Sequence, residues 1–385
     1  MLESPNNLIQ IIFLIVLLIG SAFFSASETA LMSLSKIRIR YMQDEGVKGA
    51  KLVSSLIENP NKLLSSILVG NNVVNIAATS ISTSLFIGLM GEKGVALATA
   101  VMTVLVLILL YILYKYETQH IETTEYTIFN KKIPKEFDNF KIVQVSDLHN
   151  KVFDKNNKVL IDKIESLNPD VIFITGDLVD GENKNFQVAL DLIDNLVEKY
   201  EVYHIIGNHE QKSLIKKYKH LYKDYFKELY SKKIINMENE SVRIYRGNSH
   251  LNLYGLIIPL ECYPYLFANN KKLELSDNFV EDNLGKVNEN EYNILLAHTP
   301  FFFEKYAKWG ADLVLAGHVH GGIIRIPFVG GVLSPNREFF PKYDWGKYEK
   351  DNSTMILNKG LGGSKVLIRL NCKPEIVKIT LKYEK

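Results

Sequence analysis

Cysteine is scarce. Two cysteines in 385 residues, Cys262 and Cys372, exclude a disulfide framework and read as ordinary strand or core residues. Excess charge of one sign is missing too: 45 Lys and Arg against 43 Asp and Glu leave a net +2, which argues against a protein drawn onto nucleic acid by its charge. Charge of any kind is sparse before Tyr114, apart from one cluster, and dense after it, so two classes of structure meet there. The length allows more than one domain. No basic segment precedes the first apolar run, and this absence disfavours a cleaved signal peptide.

What stands before Tyr114 is mostly apolar. Leu8 to Phe24 is uncharged and close to the roughly 20 residues that cross a bilayer. Residues 63–90 form a second uncharged run, polar inside through Asn71, Asn72 and Asn75, and residues 95–114 a third. Three membrane spans are therefore predicted, at 8–24, 63–90 and 95–114. Lys36, Arg38, Arg40, Lys48, Lys51 and Lys62 lie between the first two runs and place that connection in the cytoplasm. Gly91-Glu92-Lys93-Gly94 becomes a short external turn, and Lys115 onward returns inside. The expectation is a multi-pass membrane protein with a membrane region at 1–114, a linker at 115–138 and a soluble domain at 139–385 on the cytoplasmic face.

Within the soluble part five short blocks each follow an apolar run: Ser146-Asp147-Leu148-His149, Thr175-Gly176-Asp177, Gly207-Asn208-His209-Glu210, Ala297-His298 and Gly317-His318-Val319-His320. Apolar runs that end in turn residues and alternate with helical segments predict an α/β fold whose strands carry the chemistry at their carboxyl ends. Helices are expected at 159–167, 186–200, 213–230 and 301–309, and late strands at 354–358, 366–371 and 375–381.

The blocks supply carboxylates (Asp147, Asp177), an amide (Asn208) and imidazoles (His149, His298, His318, His320). Mixed oxygen and nitrogen donors suit manganese, iron or zinc rather than a calcium cage. Seven ligands exceed one four-coordinate ion and suit two ions about 3.5–4 Å apart. Such a pair generates a nucleophile from water at neutral pH, so no covalent protein nucleophile is required. A lone Asp-x-His or Gly-Asp is ordinarily a turn; the five together are not.

In order and type these blocks resemble the calcineurin-like metallophosphoesterases. The resemblance implies two mixed β-sheets flanked by helices, with Asp147, His149, Asp177 and His320 on one ion and Asp177, Asn208, His298 and His318 on the other. Asp177 is then the bridge. It implies two divalent ions, manganese ahead of iron or zinc, and hydrolysis of a phosphomonoester, phosphodiester or pyrophosphate by a bridging hydroxide. His209, beside Asn208 but outside this ligand set, is the candidate general acid, with support of the ligands as its alternative. The tail, with Asn358-Lys359-Gly360-Leu361-Gly362, is similar to a membrane-anchored subgroup that includes UDP-diacylglucosamine hydrolase-like enzymes, which implies a lipid-linked substrate. Asn150 and Glu210 depart from the family's usual residues.

Residues 8–103 resemble the start of the CorC/CNNM magnesium-transporter membrane domain through Phe24-Ser25-Ala26-Ser27-Glu28-Thr29-Ala30, Asn59-Pro60 and Leu68-Val69-Gly70-Asn71-Asn72. The Gly-Glu-x-x-Pro-Lys segment, further helix and CBS pair of that family are not in this sequence. The competing expectation is therefore a divalent-cation transporter or sensor with a regulatory soluble domain, in which Ser25, Asn71, Asn72 and Asn75 hold an ion or join helices.

Overall fold

The computed structural model describes residues 5–33, 60–91, 93–263, 274–322, 325–326, 330–331, 340–363, 369 and 371–384. They form two compact units, one built on Met1–Lys115 and one on the residues from Tyr116 onward.

The first unit contains helices α1 (Pro5–Ser33), α2 (Pro60–Met90) and α3 (Lys93–Gln119). The last continues into the second unit. Among the described residues no helix is long and apolar enough to cross a membrane. The described side chains of α1 nonetheless leave Leu8, Ile9, Ile12, Phe13, Ile15 and Ile19 exposed. Ser21 donates its hydroxyl to Asn71 (3.2 Å) and Asn75 (2.8 Å), so these amides join α1 to α2. The basic connection at 34–59 lies outside the described residues.

The second unit is a sandwich of two mixed six-stranded sheets. The first has the order β1-β14-β2-β3-β4-β5, with β1 Glu122–Asn130, β2 Phe140–Val145, β3 Val171–Ile174, β4 Val202–His204, β5 Ile235–Asn236 and β14 Glu375–Tyr383. The second has the order β12-β13-β9-β8-β7-β6, with β6 Glu240–Arg246, β7 Ser249–Leu256, β8 Asn293–Ala297, β9 Leu313–Ala316, β12 Gly346–Lys350 and β13 Ser353–Leu357. Strands β2 to β5 run parallel, as do β7, β8, β9 and β13.

Both faces of these parallel strands are covered, which explains runs that are apolar throughout rather than alternating. In β2 and β3, Ile142, Val171 and Phe173 face the interior between the sheets, where they meet Leu253, Ile294 and Leu315. Val143, Val145, Ile172 and Ile174 point to the other face, under helices α4 (Lys158–Ser166), α5 (Gln187–Val197) and α7 (Lys219–Ser231). Helices α8 (Phe279–Leu284) and α9 (Phe303–Trp309) cover the second sheet through Val280, Phe303 and Tyr306.

The helix expected at 213–230 begins only at Lys219, as α7, and a separate short helix, α6 (Asn208–Ser213), precedes it, because different contacts fix the two. Glu210 pins α6 to the loop after β3, whereas Tyr222, Tyr225 and Leu229 pack α7 on the sheet. The strand expected at 366–371 falls largely outside the described residues. So does most of the glycine-rich stretch after Gly322, of which Arg325–Ile326 (β10) and Gly330–Gly331 (β11) are seen to pair.

Candidate metal centre

The loops after β2, β3, β4, β8 and β9 converge at one rim. Asp147 N donates to Gly176 O (2.9 Å), His149 N to Asp177 O (3.0 Å) and Gly317 N to His298 O (2.9 Å). The loops after β2, β3 and β9 turn sharply: Asp147, His149, Asp177, His318 and His320 all hold positive φ, between 48° and 74°. Non-glycine residues rarely adopt this region, and strain of this kind gathers at functional sites. Gly317 lets the last loop close, since a Cβ there would lie 2.3 Å from Asp147 Oδ2.

Seven of the eight residues singled out above, all except Asn208, fall into three buried donor groups: Asp147, His149 and His320; His149, Asp177 and His209; Asp177, His298 and His318. In each, the donor atoms lie within 4.8 Å of one another. Asp177 Oδ2 faces His298 Nε2 at 3.1 Å and His149 Nε2 at 3.7 Å, so one oxygen looks toward both ends of the array. Asn208 is fully buried at the first position of α6.

The donors fit cations. His149 Nε2 and His320 Nε2 stand 3.2 Å apart, each within 4 Å of Asp147 Oδ1, and neither ring's buried Nδ1 has a hydrogen-bond partner among the described residues. His298 donates Nδ1–H to Thr175 O (2.7 Å), which turns its Nε2 lone pair toward a carboxylate oxygen. Two electron pairs so placed need a proton or a cation between them.

The electrostatics agree. Burial works to raise Asp147 and Asp177, and the imidazoles, chiefly His320 for the first and His298 for the second, reverse this and hold both carboxyls below the usual range. Burial works to lower His298, and Asp177 outweighs it, raising the imidazole to about 10. In these surroundings a cation is strongly favoured.

Sequence reasoning missed the supports. Glu210, noted only as a departure, accepts hydrogen bonds from the backbone N–H groups of Asp177 (3.0 Å), Leu178 (2.6 Å), Val179 (3.3 Å) and Gly207 (3.0 Å). Burial and then the Asp177 carboxylate push it up, to about 8, against the pull of those N–H groups. The readable signal was its place on the first turn of α6, three residues after Gly207. Asn150 accepts from Asp180 N (3.0 Å), and Asp180 faces His209 Nδ1 at 3.3 Å. Burial acts to raise Asp180, yet the His209 contact holds it down to about 2. His209 itself shares a donor group with His149 and Asp177, nearer the ligands than its place in the sequence suggested.

Comparison with known proteins decides the family. Residues 140–322 match the model for calcineurin-like phosphoesterases. The Bacillus subtilis metallophosphoesterase YkuE is 31% identical over 271 residues, covering 69% of this chain and 87% of that protein. The chain is a metallophosphoesterase.

As a metallophosphoesterase it is a hydrolase of phosphate esters, and its fold implies two divalent ions. Residues 12–116 match the cyclin M transmembrane N-terminal domain. A segment of the chain is 44% identical over 95 residues to the inner membrane protein YfjD of Escherichia coli, covering 25% of this chain and 22% of that protein. These similarities suggest a membrane protein. Among solved structures, a dimetal phosphatase from Danio rerio aligns at 12% identity and a TM-score of 0.29, over 58% of this chain and 88% of that one.

Proposed function

We propose that this metallophosphoesterase is a membrane-anchored enzyme that cleaves phosphate esters, including lipid-linked diesters or pyrophosphates, at the cytoplasmic surface. The observation that carries the reading is Asp177 Oδ2, which faces a donor from each of two buried groups. Asp147, His149, Asp177 and His320 would hold one ion; Asp177, Asn208, His298 and His318 would hold the other. When bound, such a pair of cations neutralises phosphoryl oxygens and supplies a nucleophile from water at neutral pH.

The chain's own residues do the rest. Thr175 O fixes the tautomer of His298, and the Asp147 carboxylate, taking N–H from His318 (3.0 Å) and O–H from Ser146 (2.5 Å), is held in orientation. Asp180 takes Nδ1–H of His209 and so orients the ring that is proposed to protonate the leaving oxygen. Support for a lipid-borne substrate comes from exposed Leu214 and Ile215 directly after α6, followed by Lys216, Lys217 and Lys219. An aliphatic and basic edge of this kind suits an anionic lipid surface. Anchoring is supported by the uncharged runs and the exposed apolar face of α1.

His209→Ala should keep two ions yet lose about 10²–10⁴ in rate on esters with poor leaving groups, where protonation matters most. A nitrophenyl ester should suffer far less. Loss of an ion, or equal slowing of both esters, would return His209 to the ligands or their support.

Chelation should abolish hydrolysis, and readdition of manganese, iron or zinc one at a time should restore it with an order that names the native metal. The panel should pair soluble diesters with nucleotide-linked lipids in reconstituted vesicles. Activity that survives complete metal removal ends the two-ion reading, and no preference for the lipid-borne ester ends the lipid reading alone.

A further inference from the structure

The two halves of the centre are held by different parts of the chain. The Asp177, His298 and His318 half leans on Glu210 and Thr175, as described. The Asp147, His149 and His320 half leans on residues that come after the last metal block in the sequence.

Loop 358–362 lies directly on Asp147. Leu361 N donates to Ser146 O (3.0 Å) and Gly362 N to Asp147 O (2.6 Å). Gly360, at φ +72°, sits where a Cβ would come within 2.5 Å of Asp147 Cβ, so no side chain is tolerated and the loop bears on the carboxylate through backbone. On its far side the buried Arg369 guanidinium donates to Lys359 O (3.1 Å), Cys372 O (3.0 Å) and Gly362 O. Cys372 in turn donates Sγ–H to His320 O (3.0 Å). Asp147 and His320 are thus braced by one assembly.

Glu375 is its hub. Fully buried, it takes Lys359 N–H on Oε2 (2.9 Å), Trp345 Nε1–H (2.8 Å) and the Thr124 hydroxyl, while its own N–H donates to Gly360 O (3.1 Å). The Lys359 ammonium lies 3.9 Å from Oε1 and 4.4 Å from the Trp345 ring centroid. A carboxylate with these donors fixes the loop from both of its neighbouring peptides.

We propose that Glu375 is a positioning residue for the ion held by Asp147, His149 and His320, acting through loop 358–362. The proposal rests on the two-ion reading and deepens it. Residues that orient metal ligands typically account for about 10–100-fold in metal affinity, and here that loss falls on one ion and spares its neighbour.

The test titrates the full chain with Mn²⁺ alone, reading stoichiometry by metal analysis and each ion's affinity by calorimetry. The wild type takes two ions; fewer would overturn the two-ion reading itself. Glu375→Gln, isosteric but able to accept on one atom only, should weaken one ion by about tenfold, and Glu375→Ala by up to about 100-fold. Thr124→Val, which removes one donor and leaves the carboxylate, should change neither by more than a few fold.

A double-mutant comparison assigns the half. The Glu375→Gln effect should vanish in a His320→Ala background, where that ion is already lost, and persist in a His298→Ala background. Equal weakening of both ions, or persistence in the His320→Ala background, overturns the proposal. So does a Glu375→Gln chain that binds both ions normally. A Glu375→Gln chain that fails to fold by circular dichroism also overturns it, since Glu375 would then serve the fold and not the ion.

Discussion

Asp177→Ala should bind neither ion well and hydrolyse nothing at a measurable rate, although the protein still folds. The carboxylate faces both ends of the donor array, so its loss strips a ligand from two ions at once and removes the negative charge that screens their repulsion. Metal stabilisation of a phosphoryl transition state amounts to several kcal/mol, which converts to a rate loss on the order of 10³-fold or more.

Folding should survive, because the sandwich is held by apolar cores on either side of the first sheet, although the variant loses the contact of Asp177 with His298. Thermal melts give an independent readout. Manganese at a hundredfold excess over Kd should stabilise the wild type by about 2.7 kcal/mol per site, whereas the Asp177→Ala midpoint should hardly move. A variant that retains two ions with normal affinity would remove Asp177 from the bridging position.

Glu210→Ala should produce the largest loss of stability of any single change at the centre. Its carboxylate gathers the backbone N–H groups of Asp177, Leu178, Val179 and Gly207. Each buried donor left without a partner costs about 1–3 kcal/mol, and water entering the vacated space recovers part of this. A net loss of about 4 kcal/mol is expected, a fall in melting midpoint of roughly 10 °C for a domain of this size.

Activity should disappear with it, since the same N–H groups shape the turn that presents Asp177. Glu210→Gln keeps one accepting oxygen but sets an NH₂ group against the remaining donors. It should fall between the wild type and Glu210→Ala in both readouts. An alanine variant as stable as the wild type would mean that water alone satisfies the turn.

Much of the centre was legible because ligand chemistry restricts residue type. Aspartate, asparagine and histidine at the ends of apolar runs mark where in an α/β fold a cation could be held, and the structure gathers them at one rim. Their supports were not legible in the same way. Asp180 and Glu375 accept ring or backbone N–H groups across distances in sequence that no local pattern encodes, and Glu210 left a local signal only in its bond to Gly207, three residues before it.

The same holds for the fold. Runs buried on both faces, such as Val171-Ile172-Phe173-Ile174, announced themselves, whereas β1 reads as polar because it is an edge strand with one side to water. The hairpin of β6 and β7 left a signal that went unread, Gly247-Asn248 between alternating residues, with Gly247 at φ +62°. The late start of α7, at Lys219 instead of 213, was invisible because helical periodicity does not report which contacts fix a helix's first turn.

The position of β14 has a consequence for how the protein is made. It lies between β1 and β2, and its residue Glu375 bonds to Thr124 of β1, 251 positions earlier. A ribosome synthesising the chain therefore releases β1 and β2 long before the strand that joins them, and β2 waits with one hydrogen-bonding edge open. Closure of so long a loop makes late assembly slow. The first sheet stays incomplete until β14 has emerged, and a chaperone that covers an open strand edge has its longest opportunity there.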